Sequence, residues 1–193
     1  MRHFLILFDD IPIDKASVRS GNNSSEVITA ARCVNVGLFI SGDLRRDVVL
    51  SLAKGNPNDL RIISFPGVHL RRVSPDERSV SFFLLKAIAL LEEMEMDSIK
   101  TMDNGIEVRR TSLESFLESL TPSRVYISHQ DSKTNADEYT EYEDSLIVYY
   151  FLGSKFDPLQ LESKWEQRDL SHLNHPERFI LNINMSVDMK KAS

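Results

Sequence analysis

The residues best suited to chemistry lie between Val68 and Ala87, in the run VHLRRVSPDERSVSFFLLKA. Ser74 has an N-cap side chain, Pro75 suits a first helical position, and Glu77 follows Ser74 at the spacing of a capping box. Asp76 and Glu77 then fall beside the positive end of a helix dipole. Arg71, Arg72 and Arg78 surround this start. Guanidinium groups next to the free amides of a helix N-terminus make an anion site, and phosphate is an anion their planar forks match. The same residues also describe an ordinary well-capped surface helix, so this motif alone does not assign a function.

Other reactive constellations are sparse. The chain has no dinucleotide glycine motif, phosphate loop, nucleophile elbow or Cys-x-x-Cys pair. His172 and His175 are spaced i, i+3, but no cysteine or further histidine completes a ligand set near them, so no metal is expected. Asp9 and Asp10 could bind a cation, but read more simply as the polar end of a strand. The single cysteine, Cys33, excludes an internal disulfide framework and points to a reducing cytoplasm. It sits in an apolar helical pattern, which makes it a buried small side chain before a reactive thiol.

The formal net charge is −6, which argues against an evenly basic surface. The charge is unevenly spread. Arg45, Arg46, Arg61, Arg71, Arg72, Arg78, Arg109 and Arg110 hold much of the positive charge, while acids gather in Glu92–Asp97 and Asp131–Asp144. Arginines sharing one face would let an acidic protein hold RNA locally. A length of 193 residues with 41% hydrophobic content fits one globular domain over residues 1–193. No apolar run approaches a membrane span, and the opening MRHFLILFDDIP reads as a first strand and not as a signal peptide.

Periodicity supplies the elements that must carry these residues. Strands are expected at His3–Phe8, Val48–Leu52, Leu60–Phe65, Ile106–Arg109, Val125–Ser128, Ser145–Leu152 and Phe179–Ile183. Ser145–Leu152 is the most apolar and reads as a central parallel strand. Helices are expected at Glu26–Ser41, from Pro75 to about Glu95, at Ser112–Leu120 with Ser112 as cap, at Asp157–Trp165, and at Met185–Lys191. Ile11–Ser25 and Gln130–Asp144 read as loops. Alternating strands and helices predict an α/β fold with a mainly parallel sheet and helices on both faces.

Four blocks share their order and spacing with a known family. They are Arg32-Cys33-Val34 with Phe39 and Ser41, Arg45-Arg46-Asp47-Val48-Val49, Ser74-Pro75-Asp76-Glu77-Arg78, and Gly105-Ile106 with Val108-Arg109-Arg110. The chain resembles the archaeal tRNA pseudouridine-54 N1-methyltransferases of the SPOUT superfamily. The resemblance implies a C-terminal trefoil knot, S-adenosylmethionine as cofactor, a homodimer in the cytoplasm, and methyl transfer to N1 of a pseudouridine in tRNA. No hydrophobic stripe in the sequence singles out the dimer interface.

Carried over residue by residue, the resemblance implies a cofactor site at Ile127, Leu152, Gly153, Leu170, Ser171 and His175. It implies RNA contacts at Arg45, Arg46, Arg72, Arg78, Arg109 and Arg110. Asp47 and Asp76 also match. Asp76 is the candidate catalytic carboxylate, and the alternative role for both aspartates is to hold those arginines by bidentate pairing. In-line transfer from a sulfonium depends chiefly on alignment, with a nearby acceptor for the N1 proton.

The C-terminal third departs from the family pattern. Ser154-Lys155-Phe156 stands where the family has an Asp-His pair and a glycine, and His175 precedes Pro176 where a His-Cys pair is usual. Asn22-Asn23-Ser24-Ser25 replaces an arginine-bearing substrate loop. The alternative function is therefore a knotted, homodimeric RNA-binding paralogue that has lost methyl transfer.

Overall fold

The computed structural model describes residues 1–136, 142–151, 155–156 and 166–191. In chain order the elements are β1 (Arg2–Phe8), α1 (Lys15–Ser20), α2 (Ser25–Leu38), β2 (Phe39–Ile40), β3 (Asp43–Leu44), β4 (Val48–Asn56), β5 (Asp59–Pro66) and α3 (Glu77–Glu92). There follow β6 (Ser98–Thr101), β7 (Glu107–Thr111), α4 (Leu113–Leu120), β8 (Arg124–His129), β9 (Ser145–Tyr150), β10 (Glu166–Ser171) and α5 (Pro176–Lys191).

Eight strands form one sheet in the order β10-β8-β9-β1-β4-β5-β7-β6, and β2 and β3 make a separate small pair. β1 is almost wholly apolar because it is central and covered on both faces. It pairs in parallel with β4 on one side and β9 on the other. β9, β8 and β10 continue the parallel half. From β4 onward the sheet turns antiparallel through β5, β7 and β6. The reversal is local. Gly55 takes φ +115°, where an added Cβ would lie 2.5 Å from the Asp59 carbonyl oxygen. The Asn56 side chain accepts the amides of Asn58 and Asp59 at 3.0 and 3.1 Å, which closes the hairpin.

Each face of the sheet has its own core. Phe4, Ile6, Leu50, Leu52, Ile63 and Phe65 pack under α2, α3 and α5 through Val27, Val34, Leu84, Ile180 and Ile183. Leu5, Leu7, Ile62, Val125, Ile127 and Val148 pack under α4 through Phe116 and Leu117. Each such side chain removed from water contributes roughly 1.5–3 kcal/mol before entropy is counted. Cys33 is fully buried in the first core, as its pattern predicts. No helix of the described residues is long and apolar enough to cross a membrane.

Three expectations need correction. The helix expected from Pro75 starts at Glu77, with Asp76 and not Ser74 as its cap: Asp76 Oδ1 accepts the Ser79 amide at 2.7 Å. The Ser74 amide is bonded to Ser79 Oγ, and Glu77 accepts from Asn23 Nδ2 at 2.8 Å, so no capping box forms. The strand expected at Phe179–Ile183 is helical and belongs to α5. Its buried residues Phe179, Ile180, Ile183 and Val187 recur at helical spacing, and a short apolar run cannot by itself separate the two readings. α1, β6 and β10 arise where no element was expected. α1 lasts six residues between the Asp14 cap and Gly21, and β10 is a polar strand at the sheet edge. The helix expected at Asp157–Trp165 lies outside the described residues.

Candidate functional site

The parallel half of the sheet directs the carboxyl ends of β1, β8, β9 and β10 to one side, where open α/β sheets place their ligands. The segments after β8 and β10 are laced together there. The Ser171 amide donates to the Thr134 carbonyl at 2.8 Å, Ser171 Oγ to the Ser132 carbonyl at 2.9 Å, and the His172 amide to the His129 carbonyl at 3.1 Å. Ser132 Oγ returns a bond to the Asp169 carbonyl at 3.1 Å. Two segments distant in sequence thus form one ordered rim.

Tyr149, on β9, fixes that rim from beneath. Its hydroxyl donates to the Leu173 carbonyl at 2.6 Å and lies 3.3 Å from His172 Nε2. The two rings stack with centroids 4.8 Å apart. His172 Nδ1 lies 3.4 Å from Ser128 Oγ. Burial holds His172 below the usual histidine range, so its imidazole is neutral near pH 7. Burial also pushes the Tyr149 hydroxyl well above its ordinary value, which keeps it a donor.

The cofactor residues expected from sequence take different places around this rim. Ser171 belongs to it. Leu170 and Ile127 are fully buried just below, in the core under α5 and the core under α4 respectively. His175 is exposed, and its carbonyl receives the amides of Arg178 and Phe179 at the start of α5. Leu152 and Gly153 lie outside the described residues.

Beside the rim, a groove of about 450 Å³ separates the end of β1 from the start of α2. Phe8, Asp9, Asp10, Glu26, Thr29 and Phe151 line it. Asp10 pairs with Lys54 at 2.8 Å, and that bond holds its carboxyl below the usual range. Asp9 accepts the Lys155 amide at 3.0 Å. Ser24 caps α2 by accepting the Val27 amide, and its hydroxyl donates to the Pro12 carbonyl at 3.0 Å, which ties both walls together. Ser24, in a polar loop opaque in the sequence, thus ties the walls of this groove.

The six arginines fall into three sets. Arg45 and Arg110 are structural. Arg45 bonds Asp188 at 2.7 Å and the carbonyls of Val36 and Phe39, with its side chain only 10% exposed. Arg110 makes a bidentate pair with Asp59, both bonds 2.8 Å, and caps the Met94 carbonyl at 2.9 Å. Arg46, Arg72 and Arg78 are exposed. Arg46 touches Gly67 and Asp43, Arg72 touches Asp103, and Arg78 has no ion pair among the described residues. Arg109 donates to Ser119 Oγ at 2.7 Å and lies over the Phe116 ring on the α4 face.

The two aspartates that match the family blocks have these partners in the structure. Asp47 pairs with the buried Arg2 at 3.1 Å, and Asp76 is spent on the α3 cap. Sequence reading also missed Tyr149, hidden in an apolar run, and Asn184. The buried Asn184 amide donates to the carbonyls of Val36 and Gly37 and accepts from Arg2, joining α5 to α2 and β1. No metal-binding group of acidic, histidine or cysteine side chains occurs among the described residues.

A family model described as "Putative SAM-dependent RNA methyltransferase" matches residues 1–148. The tRNA (pseudouridine(54)-N(1))-methyltransferase of Methanococcus maripaludis is 30% identical over 177 residues, covering 88% of this chain and 88% of that protein. The protein of the same name from Methanocaldococcus jannaschii is 32% identical over 170 residues, with 83% and 82% covered. That from Natronomonas pharaonis is 30% identical over 151 residues, with 77% and 75% covered.

Proposed function

The chain belongs to this family of S-adenosylmethionine-dependent RNA methyltransferases, and on that premise we propose that it methylates N1 of pseudouridine 54 in tRNA. The observation that carries the reading is similarity at about 30% identity spread over 88% of both chains. The cofactor supplies a methyl group on a cationic sulfonium. The rim suits such a group: Tyr149, Tyr150 and Phe151 bring aromatic rings to one strand end, where Asp9 adds a carboxylate.

Ser171 and His175, with the segment bearing Leu152 and Gly153, hold the cofactor above the buried Leu170 and Ile127. The groove between β1 and α2 takes the flipped base. Asp9 and Glu26 line that groove, and one of them accepts the N1 proton, directly or through water. Asp76 is engaged at the α3 cap and serves placement, not proton transfer.

The chain works as a homodimer in the cytoplasm. Leu181, Met185 and Met189 support this: they are 38%, 49% and 62% exposed and recur every fourth residue along α5. A C-terminal trefoil knot is consistent with β9, which follows β8 in sequence, lying on the side of β8 away from β10.

The test is transfer of labelled methyl from S-adenosylmethionine to a tRNA transcript already carrying pseudouridine at position 54, with nucleoside mass spectrometry as readout. N1-methylpseudouridine is expected. A folded protein that binds that tRNA but yields no methylated nucleoside would establish the RNA-binding paralogue instead, the reading favoured by Ser154-Lys155-Phe156 and His175-Pro176.

A further inference from the structure

α1 and α3 line a second groove, of about 670 Å³. Its floor is apolar: Val18 from α1, and Phe82 and Leu85 from α3. Phe82 is 44% exposed although it is a large aromatic side chain. Its ring is held in place, edge-on to Phe83 at 5.3 Å, with Lys86 Nζ 4.4 Å over it. The rim is cationic. Lys15, Arg19, Arg78 and Lys86 all line it, all are exposed, and none has an ion pair among the described residues. Asp76 is the one acid lining the groove, and its carboxylate caps the helix.

Four cations with no carboxylate partner around an exposed, pre-oriented ring are unusual in a chain of net charge −6. Four unpaired cations at the rim call for a polyanionic occupant, and the exposed Phe82 ring on the floor offers it a flat face. A positively charged track with an aromatic platform is the arrangement that single-stranded nucleic acid requires: phosphates meet the cations and a base stacks on the ring. Both grooves border one stretch of chain. Residues 11–24 run from the end of β1, through α1, to the α2 cap, and Asn23 ties that stretch to Glu77 of α3 at 2.8 Å.

We infer that the α1–α3 groove binds an unpaired nucleotide of the RNA substrate, its base stacked on Phe82 and its flanking phosphates held by Lys15, Arg19 and Arg78. This rests on the RNA-methyltransferase reading and adds to it the surface that grips the substrate away from the reacting base.

Binding of a fluorescently labelled tRNA transcript, titrated at several salt concentrations, tests the inference. Phe82→Leu keeps apolar volume but removes the ring face. Phe82→Tyr restores the face. The Lys15→Ala/Arg19→Ala pair removes charge alone. Each variant is checked for an unchanged thermal midpoint and for S-adenosylmethionine binding. Phe82→Leu is expected to weaken binding about fivefold or more with the salt slope intact, since stacking releases no counterions. Phe82→Tyr is expected to bind like the parent, and the double variant to flatten the slope by about two. If the parent methylates tRNA while Phe82→Leu and the double variant bind it with parental affinity and slope, the groove has another occupant and the inference fails alone. A loss in Phe82→Leu that Phe82→Tyr does not restore would refute the stacking role. If the parent binds no tRNA at low salt, the functional reading fails, and the groove assignment with it.

Discussion

Tyr149 holds the rim beyond β8 and β10 through one hydroxyl. Replacing it with Phe keeps the stack on His172 but leaves the Leu173 carbonyl without its donor, a loss of about 1 kcal/mol. Tyr149→Phe should therefore weaken S-adenosylmethionine binding roughly fivefold, with kcat at saturating cofactor little changed. An unaltered KM for the cofactor would show that the rim does not need this tether. Gly105 gives the Gly-Ile-x-Val-Arg-Arg block a backbone reason. It takes φ +86°, and an added Cβ would lie 2.2 Å from the His69 carbonyl oxygen. Gly105→Ala should cost more than about 2 kcal/mol in a urea melt, more than a substitution at an unstrained loop position. Within the same block Arg110 is committed to Asp59 and Met94, so one arginine of a shared motif supports the fold whatever the next does.

At the scale of elements, the start of α3 distinguishes two caps. Asp76→Ala should lower stability by about 1 kcal/mol and Ser74→Ala by much less, because only the first removes the acceptor of the Ser79 amide. Equal losses would return the cap to Ser74. α5 carries a different prediction. Leu181→Asp with Met185→Asp should turn a dimer into a monomer in light scattering without unfolding it, since both side chains face solvent in the single chain. A parental mass for that variant would move the interface elsewhere.

These elements also show what sequence could reveal. β1, β4, β5, β8 and β9 were legible because buried strands are continuous apolar runs, α4 because its cap and period agree, and α2 by its period alone, with neither its Ser24 cap nor its end at Leu38 foreseen. α5 was split in two because Met185 and Met189, which face outward, interrupt the period that its buried residues set. That split also hid the stripe. β6 and β10 are polar edge strands, whose pairing comes from the neighbouring strand and not from their own residues. The arginine motif was legible as charge, but not which arginines point outward. That depends on Asp59 and Asp188, distant in sequence and unmarked by any pattern.

For the molecule as a whole, His3 predicts a response to acid. Burial first, and the nearby Arg109 second, bring its pKa from 6.5 down to about 4. It lies in a buried polar chain, its Nε2 2.7 Å from Ser51 Oγ, which is 2.6 Å from Ser64 Oγ. Between those pH values the unfolded chain holds a proton that the folded chain refuses. Stability contributed by His3 is therefore complete above pH 6.5, falls as pH drops through the window, and levels off below about 4. The loss amounts to no more than about 3 kcal/mol. His3→Gln should flatten the fall of the thermal midpoint across that window, and an equally steep fall in the variant would assign it to the carboxylates.

The sheet order has a consequence in time. β1 meets β4 within the first 56 residues, but its other edge waits for β9, which begins at Ser145. At about 5–20 residues per second, a ribosome needs on the order of ten seconds to supply the intervening chain. Throughout that interval a strongly apolar strand of the nascent protein shows an open edge to its neighbours on the polysome. A message broken before β9 would yield an adhesive fragment in place of a smaller enzyme, so the cell's need for this protein includes shielding it while it is unfinished.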